Sequence, residues 1–174
     1  MSVKELREKI SGLDRKIAEI LNERSILSGE IAKLGKEDAV ISAVDEKKAA
    51  DALAAMAAAP LTPGMMRAVF REIFSGAAAI ERGVRVAYMG PEATFSHLAA
   101  LAKFGRSVEF RPESNIPDVF RDVETMRADF GCVPIENSTE GAVNHTLDMF
   151  LDSSVYICDE INLRIHHNLM AACG

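Results

Sequence analysis

The sequence predicts two joined regions of different fold class, an all-α region over residues 1–82 and an α/β region over residues 84–174. Over residues 2–34, apolar side chains recur at spacings of three and four, which indicates one long amphipathic helix. From residue 84 onward, short apolar runs alternate with helical patterns, which is typical of a mainly parallel sheet covered by helices. Residues 82–84 therefore mark a change of fold class within one chain.

The composition argues against several classes of function. The 174 residues are 48% hydrophobic and 26% charged, and the formal net charge is −6. This charge argues against a nucleic-acid partner, because phosphate binding needs clustered Lys and Arg. No apolar run approaches the roughly 18 residues of a membrane span, and the charged N-terminus is not a signal peptide. Three cysteines without CxxC spacing favour buried thiols and a cytoplasmic location.

The histidines do not predict a metal site. His145, His166 and His167 have no Cys or carboxylate partner at ligand spacing. Adjacent histidines in a strand point to opposite faces, so His166 and His167 could not share one ion. We therefore expect no metal.

The first predicted helix carries one apolar seam, and a single position breaks it. The seam consists of Val3, Leu6, Ile10, Leu13, Ile17, Ile20, Leu27, Ile31 and Leu34. At about 1.5 Å per residue the helix is roughly 48 Å long, so we expect it to pack against helices of a second chain. Arg24 stands where the spacing requires an apolar residue, and a buried guanidinium is costly unless an anion meets it. Two interpretations stay open, a structural ion pair and an anion-binding site inside a helical bundle.

Two further helices are predicted before the boundary. The second, over residues 44–58, is rich in alanine and is ended by Pro60. Thr62 suits the N-cap of the third helix, and Pro63 suits its first position. The apolar face of the third helix consists of Met66, Val69, Phe70, Ile73, Phe74, Ala77 and Ile80.

The α/β region alternates predicted strands and helices. The strands cover residues 84–89, 107–111, 130–135 and 155–171. The first helix follows a turn over residues 90–96 and reaches about residue 104, and the other helices cover residues 117–128 and 142–151. Ligands of such sheets bind outside the carboxyl ends of the strands. Two loops are expected there, and each places hydroxyls at the start of a helix, where backbone N–H groups and the helix dipole favour an anion. Ordinary N-capping stays open for either loop alone, but together they favour a small anionic ligand.

Several motifs resemble those of the bacterial bifunctional chorismate mutase–prephenate dehydratases. LREKISGLD (6–14), Glu23-Arg24 and FREIFSGAAAIE (70–81) resemble the first and third helices of the all-helical (AroQ-class) mutase. VRVAYMGPEATFS, VPIENSTEGAVNHTLD and LRIHHNL resemble the start of the dehydratase domain. The resemblance covers residues 4–171. It implies a multifunctional enzyme of phenylalanine biosynthesis in the shikimate pathway.

The resemblance implies a three-helix mutase that forms an intertwined homodimer, followed by a truncated lobe like those of periplasmic binding proteins. The mutase, an isomerase, rearranges chorismate to prephenate; the dehydratase, a lyase, converts prephenate to phenylpyruvate without a cofactor. The residues implied for the mutase site are Arg7, Arg24, Glu46 and Glu81, with Lys36 as a further substrate contact. Those implied for the prephenate pocket are Thr94, Ser96, Glu136, Asn137, Ser138, Thr139 and Gly141.

The sequence also departs from the family pattern. Gly35 stands where the family has an essential lysine, and Asp45 stands where it has an arginine. Ser42 replaces a family aspartate and Ala77 a serine, so the activity of the mutase site stays open. Ala93 replaces a glycine of the first dehydratase motif.

The chain ends partway through the expected dehydratase domain, so we expect a fragment. The family's second lobe, with its Thr-Arg-Phe motif, is not in these 174 residues. Phenylalanine feedback would require a C-terminal ACT domain, which the residues also do not include. The alternative function is a non-catalytic helical dimerisation module joined to a lobe that binds small anions. A regulatory domain of the periplasmic-binding type fits the α/β pattern but not the long helix.

Overall fold

A computed structural model of the chain describes residues 1–34, 43–137, 141–166 and 170–171, without the side chains of residues 43–47 and 137. The chain divides into two units. The helical unit comprises Met1–Val84 with Arg106–Glu109, and the α/β unit comprises Arg85–Gly105 with Phe110–Gly174. Among the described residues, no helix combines the length and the hydropathy needed to cross a membrane.

The helical unit consists of three helices, as the sequence predicts. They are α1 (Val3–Leu34), α2 (Ala43–Ala55) and α3 (Pro63–Arg82), and α3 packs against both others. Thr62 caps α3, because its hydroxyl accepts the Met65 N–H at 3.2 Å, and Gly83 ends the helix with φ 59°. The second helix ends three residues earlier than predicted, at Ala55. Its last turn tightens, since Met56 N–H and Ala57 N–H bond carbonyls three residues back.

The apolar seam of α1 lies mostly uncovered within one chain. Its exposed fraction ranges from 41% at Leu6 to 74% at Leu34, and only Ile31 among its members is half-buried. Met65 and Val69 on α3 are also more than half exposed. An apolar surface of this length is unusual for a monomeric helical unit and is typical of a protein–protein contact.

The α/β unit is built around a three-stranded sheet with strand order β2-β1-β3. Strands β1 and β3 are parallel, with Val86 opposite Phe130 and Tyr88 opposite Cys132. The expected alternation of strands and helices is confirmed. The elements of this unit are β1 (Arg85–Met89), α4 (Phe95–Phe104), β2 (Glu109–Glu113), α5 (Ile116–Glu124), β3 (Phe130–Cys132), β4 (Glu136–Asn137), β5 (Gly141–Ala142) and α6 (Asn144–Asp152).

Helix α5 approaches the sheet closely at one glycine. Ala87, Val119 and Ala128 form a buried apolar cluster between the sheet and α5. At Gly131, an added Cβ would lie 2.9 Å from Val119 Cγ1 and 3.2 Å from Val123 Cγ2. Only a residue without a side chain therefore allows this packing distance.

Several predicted boundaries in this unit are wrong. Helix α5 ends at Glu124 rather than residue 128, because the Asp122 carbonyl accepts both the Arg127 and Ala128 N–H groups. The turn from Asp122 to Arg127 places Met126 at φ 56°. The turn contains no glycine, so nothing in the sequence marks it. Strand β2 begins two residues later than predicted, and β3 ends at Cys132, three residues early.

The last predicted strand is also wrong for the residues that the structure describes. Residues 155–166 form no strand, and Tyr156 is 93% exposed. A strand needs a neighbour that completes its backbone hydrogen bonds, and the described part of the chain places none beside this segment. One contact of this segment is an ion pair, in which Lys103 Nζ on α4 lies 2.5 Å from Asp159 Oδ2.

Candidate functional site

The loop between β1 and α4 is shaped by a threonine. The Thr94 hydroxyl caps α4 by accepting the His97 N–H at 3.4 Å. Its own proton faces two carbonyls, of Met89 at 3.2 Å and of Pro91 at 2.9 Å. Thr94, predicted to contact substrate, is thus engaged in holding the loop. Ser96, half-buried in the first turn of α4, has a hydroxyl with no hydrogen bond to the described residues, so it can serve a ligand.

A histidine that the sequence analysis did not single out supports this loop. His97 Nδ1 accepts the Ala93 N–H at 3.0 Å, and Ala93 has φ 65°. The imidazole stacks on Tyr88 with ring centroids 4.7 Å apart and planes 12° apart. Phe110 meets the same imidazole edge-on at 5.9 Å. Burial, and then the negative charge of Glu92, raise the pKa of Tyr88, so its phenol stays neutral.

The second predicted loop is a small hairpin rather than a helix cap. Strands β4 and β5 are antiparallel, with Glu136 opposite Ala142. The prediction that Asn137, Ser138 and Thr139 stand at the start of the next helix is wrong, because α6 begins at Asn144 with Val143 as its N-cap, without a side-chain bond. Because Glu136–Asn137 pairs with Gly141–Ala142, the helix begins only after this pairing, at Asn144. The Asn137 side chain, Ser138 and Thr139 lie outside the described residues.

The hairpin is fixed to the sheet by a buried threonine. Thr146 is fully buried, and its hydroxyl donates to the Pro134 carbonyl at 2.7 Å. The Val143 N–H donates to the Ile135 carbonyl at 2.9 Å, just before Glu136. Glu136 is exposed, and Gly141 has φ 81° with open space where a Cβ would lie.

The two loops lie at one edge of the sheet. Because β1 and β3 are adjacent and parallel, the segments that follow them leave the sheet on the same side. A direct contact joins the end of β3 to the first turn of α4, since Cys132 Sγ lies 3.6 Å from the Ser96 carbonyl. Burial raises the pKa of Cys132 to about 11, so the thiol is a neutral donor there. The geometry brings Ser96 to the edge from which the hairpin of Glu136 and Gly141 emerges.

Two of the predicted mutase residues, Arg7 and Arg24, lie far apart along α1 in one chain. Arg7 is exposed and lines a shallow concavity of α1 with Lys4 and Arg15. Arg24 is half-buried, and its Cζ lies 5.6 Å from the centroid of the Phe74 ring on α3. The break in the seam is therefore filled by a cation–π contact within the chain.

The other mutase residues are less fully described. Glu81 is half-buried on α3, and Ala77 is buried there. Glu46 and Asp45 belong to α2, with side chains outside the described residues. Lys36, Gly35 and Ser42 also lie outside. Across the described ranges, no cluster of three or more His, Cys, Asp or Glu side chains could hold a metal ion.

Two family models match the chain in succession. Residues 6–82 match the model described as chorismate mutase type II, and residues 86–174 match the model described as prephenate dehydratase. No solved structure matches the chain.

Curated relatives match almost the whole chain, and each of three is named bifunctional chorismate mutase/prephenate dehydratase. The one from Stutzerimonas stutzeri is 43% identical, over 97% of this chain and 48% of the relative. The one from Pseudomonas aeruginosa is 42% identical over the same shares. The one from Aquifex aeolicus is 40% identical over 98% of this chain and 49% of the relative. The chain thus spans about half the length of these relatives. It belongs to the prephenate dehydratase family and carries a chorismate mutase type II region before its dehydratase region, the pair of activities for which these relatives are named.

Proposed function

We propose that the chain is part of a bifunctional enzyme of phenylalanine biosynthesis, with chorismate and prephenate as substrates. Residues 1–82 form its mutase domain and residues 84–174 the first part of its dehydratase domain. The single observation that carries the dehydratase half is the Cys132–Ser96 contact, which joins the end of β3 to the first turn of α4 at one sheet edge. A cytoplasmic location is proposed from the cysteine pattern.

The mutase half of the proposal rests on the cations of the first helix. Chorismate rearranges to prephenate in one concerted step, so a protein needs only to hold the reactive conformer and stabilise charge on the ether oxygen. Arg24 suits this role because the Phe74 ring holds its half-buried guanidinium at 5.6 Å. Glu81 is the proposed contact of the ether oxygen and Glu46 that of the hydroxyl. Lys36 is the proposed substitute for the missing lysine.

Arg7 can join this site only across two chains. Arg7 and Arg24 are separated along α1 by roughly 25 Å at about 1.5 Å per residue, which is more than the carboxylates of one small substrate can span. The exposed seam of α1 offers a surface on which a second copy of the helix can pack. We therefore propose an intertwined homodimer. Light scattering should give twice the chain mass of 18.9 kDa at micromolar concentration, and a monomer would contradict it.

The dehydratase half of the proposal rests on donors at the sheet edge. In the reaction, the ring C–OH bond and the bond to the ring carboxylate break, and the ring becomes aromatic as hydroxide and CO2 leave. A general acid assists the departing hydroxide, and fixed dipoles hold the carboxylates. The Ser96 hydroxyl suits carboxylate binding, since it has no bond to the described residues. The hairpin residues Asn137, Ser138 and Thr139 are proposed to add further donors beside Glu136 and Gly141.

Chorismate turnover tests the mutase half. In the wild-type chain we expect conversion of chorismate to prephenate, and Arg24→Leu should lower kcat/KM by about 100-fold, which corresponds to ~2.7 kcal/mol. Lys16→Leu is the control, because Lys16 is exposed on the same helix, outside the concavity that Arg7 lines, and should leave turnover unchanged. A dimeric wild-type chain without turnover would instead favour the non-catalytic dimerisation module. The Gly35 and Asp45 departures favour that second candidate.

Calorimetric binding of prephenate tests the dehydratase half. Ser96→Ala should weaken binding by about tenfold or more, because a hydrogen bond to a charged group contributes ~1.5–3 kcal/mol. Ser154→Ala, at an exposed serine in the same unit, should not change binding. Equal affinity of the wild-type chain and Ser96→Ala would exclude Ser96 from the pocket.

A further inference from the structure

The β1–α4 loop contains a residue in an unfavourable backbone conformation. Ala93 has φ 65°, and its side chain is exposed. The left-handed region costs an L-residue other than glycine about 1–2 kcal/mol. Such a conformation persists only where the surroundings fix it, and residues of this kind cluster at functional sites. The backbone N–H of Ala93 has one described partner, Nδ1 of His97 at 3.0 Å.

The imidazole that receives this N–H is itself fixed. Its face stacks on Tyr88 of β1 at 4.7 Å, and Phe110 of β2 packs against it edge-on at 5.9 Å. Tyr88 and Phe110 also touch each other, with centroids 6.4 Å apart. The backbone N–H of His97 donates to the Thr94 hydroxyl. Neighbouring residues therefore fix both the backbone and the ring of His97.

The Ala93 contact assigns the state of the ring. Because Nδ1 accepts a hydrogen bond, it carries no proton, and the proton of the neutral ring resides on Nε2. Protonation would turn Nδ1 into a donor facing another donor, and the contact would break. Tyr88, which stacks on the ring, stays neutral because burial and the negative charge of Glu92 raise its pKa. Phe110 contributes no charge.

We propose that His97 is a positioning residue for the anion-binding loop: its neutral imidazole holds Ala93 in the left-handed conformation and so fixes the turn that carries Ser96. The Ala93–His97 hydrogen bond closes the turn formed by Thr94, Phe95 and Ser96. The Cys132 contact holds the same turn from the other side, at the Ser96 carbonyl. The link from this turn to prephenate rests on the proposed function.

Two substitutions distinguish the stacking of the His97 ring from its role as a hydrogen-bond acceptor. His97→Phe keeps an aromatic ring for stacking on Tyr88 but removes the acceptor. His97→Asn removes most of the ring but places an amide oxygen near the position of Nδ1. His145→Phe is the matched control, because His145 is exposed on α6. Tyrosine fluorescence verifies that each variant is folded.

The first measurement follows the Ala93 amide by NMR at pH 8. The chemical shift of this amide should change in His97→Phe, which removes the acceptor, and stay unchanged in His145→Phe. Hydrogen exchange at Ala93 should rise about tenfold in His97→Phe and return toward the wild-type rate in His97→Asn. An Ala93 amide that exchanges equally in all variants would overturn the proposal.

The second measurement is prephenate binding at pH 8. His97→Phe should weaken binding by about tenfold, and His97→Asn should recover most of the loss. Equal binding by His97→Phe and the wild-type chain would overturn the role of His97 while leaving the proposed function intact. If the wild-type chain does not bind prephenate while the Ala93 signal still depends on His97, the positioning role stands and the proposed function fails.

Discussion

Replacing Ala93 by glycine should stabilise the α/β unit. The left-handed φ of 65° costs alanine about 1–2 kcal/mol, a cost that glycine does not bear. Against this gain, glycine has more conformational freedom in the unfolded chain, which costs roughly 0.4–1 kcal/mol. The alanine side chain is exposed, so almost no apolar burial is lost. The expected net gain in the free energy of unfolding is about 0.5–1 kcal/mol.

Urea denaturation followed by tyrosine fluorescence isolates this unit. The chain has no Trp and two Tyr, and both Tyr88 and Tyr156 belong to the α/β unit. Ala102→Gly is the matched control, because Ala102 is exposed within α4. There the same chemical change should destabilise by about 1 kcal/mol, since glycine disfavours a helix interior. Ala93→Gly should therefore raise the urea concentration at the unfolding midpoint, and Ala102→Gly should lower it.

The sign of the change in the free energy of unfolding caused by Ala93→Gly tests whether the left-handed conformation strains the folded chain. A loss of stability similar to that of Ala102→Gly would show that the left-handed conformation imposes no net strain on the folded chain. That result would also remove the reason why Ala93 needs the His97 contact.

Three further predictions concern buried groups. Thr146→Val should destabilise the α/β unit by about 1–3 kcal/mol, because the Pro134 carbonyl loses its donor, whereas Thr146→Ser should keep most of the stability, as urea denaturation can show. After iodoacetamide treatment at pH 8, peptide mass spectrometry should find that the exposed Cys158 is modified and that the buried Cys132 is not. Because the pKa of Cys132 is raised to about 11 in the folded chain from 9.0, its neutral thiol contributes stability that is fully present below pH 9 and lost as the pH rises toward 11. The stability of the wild-type chain should therefore fall relative to Cys132→Ala over that window by up to about 3 kcal/mol, and parallel curves for the two proteins would contradict this.

The elements that the sequence predicts best are those with local signals. Thr62, Pro63 and Gly83 mark both ends of α3, and each acts within a few residues of its own position. The seam of α1 likewise depends only on helical periodicity. Such features need no knowledge of the tertiary fold, so their positions could be read directly.

The features that the sequence does not predict either lack a recognisable local signal or depend on distant partners. The end of α5 is set by a turn at Met126 that carries no glycine, and the predicted strand over residues 155–171 would need a neighbour that its sequence cannot name. The role of His97 arises from Tyr88 and Phe110, which belong to two different strands. Periodicity gives no sign that these three rings meet.

Within the candidate site, residue type alone could not separate two hydroxyls. Thr94 and Ser96 stand two positions apart at the start of one helix, and both suit an anion. Only the carbonyls of Met89 and Pro91, which receive the Thr94 hydroxyl, distinguish a loop-shaping side chain from one available to a ligand.

The glycines of this chain differ in how much sequence change they should permit. At Gly131, any other residue would force α5 away from the sheet, because Val119 Cγ1 already lies 2.9 Å from where a Cβ would be. At Gly12, Gly29 and Gly76 nothing described lies within 4 Å of the corresponding point. In a library of all single substitutions, position 131 should accept almost none, whereas the three helical positions should accept alanine readily. A place in the α/β unit with very little freedom to evolve is thus one that has no side chain at all.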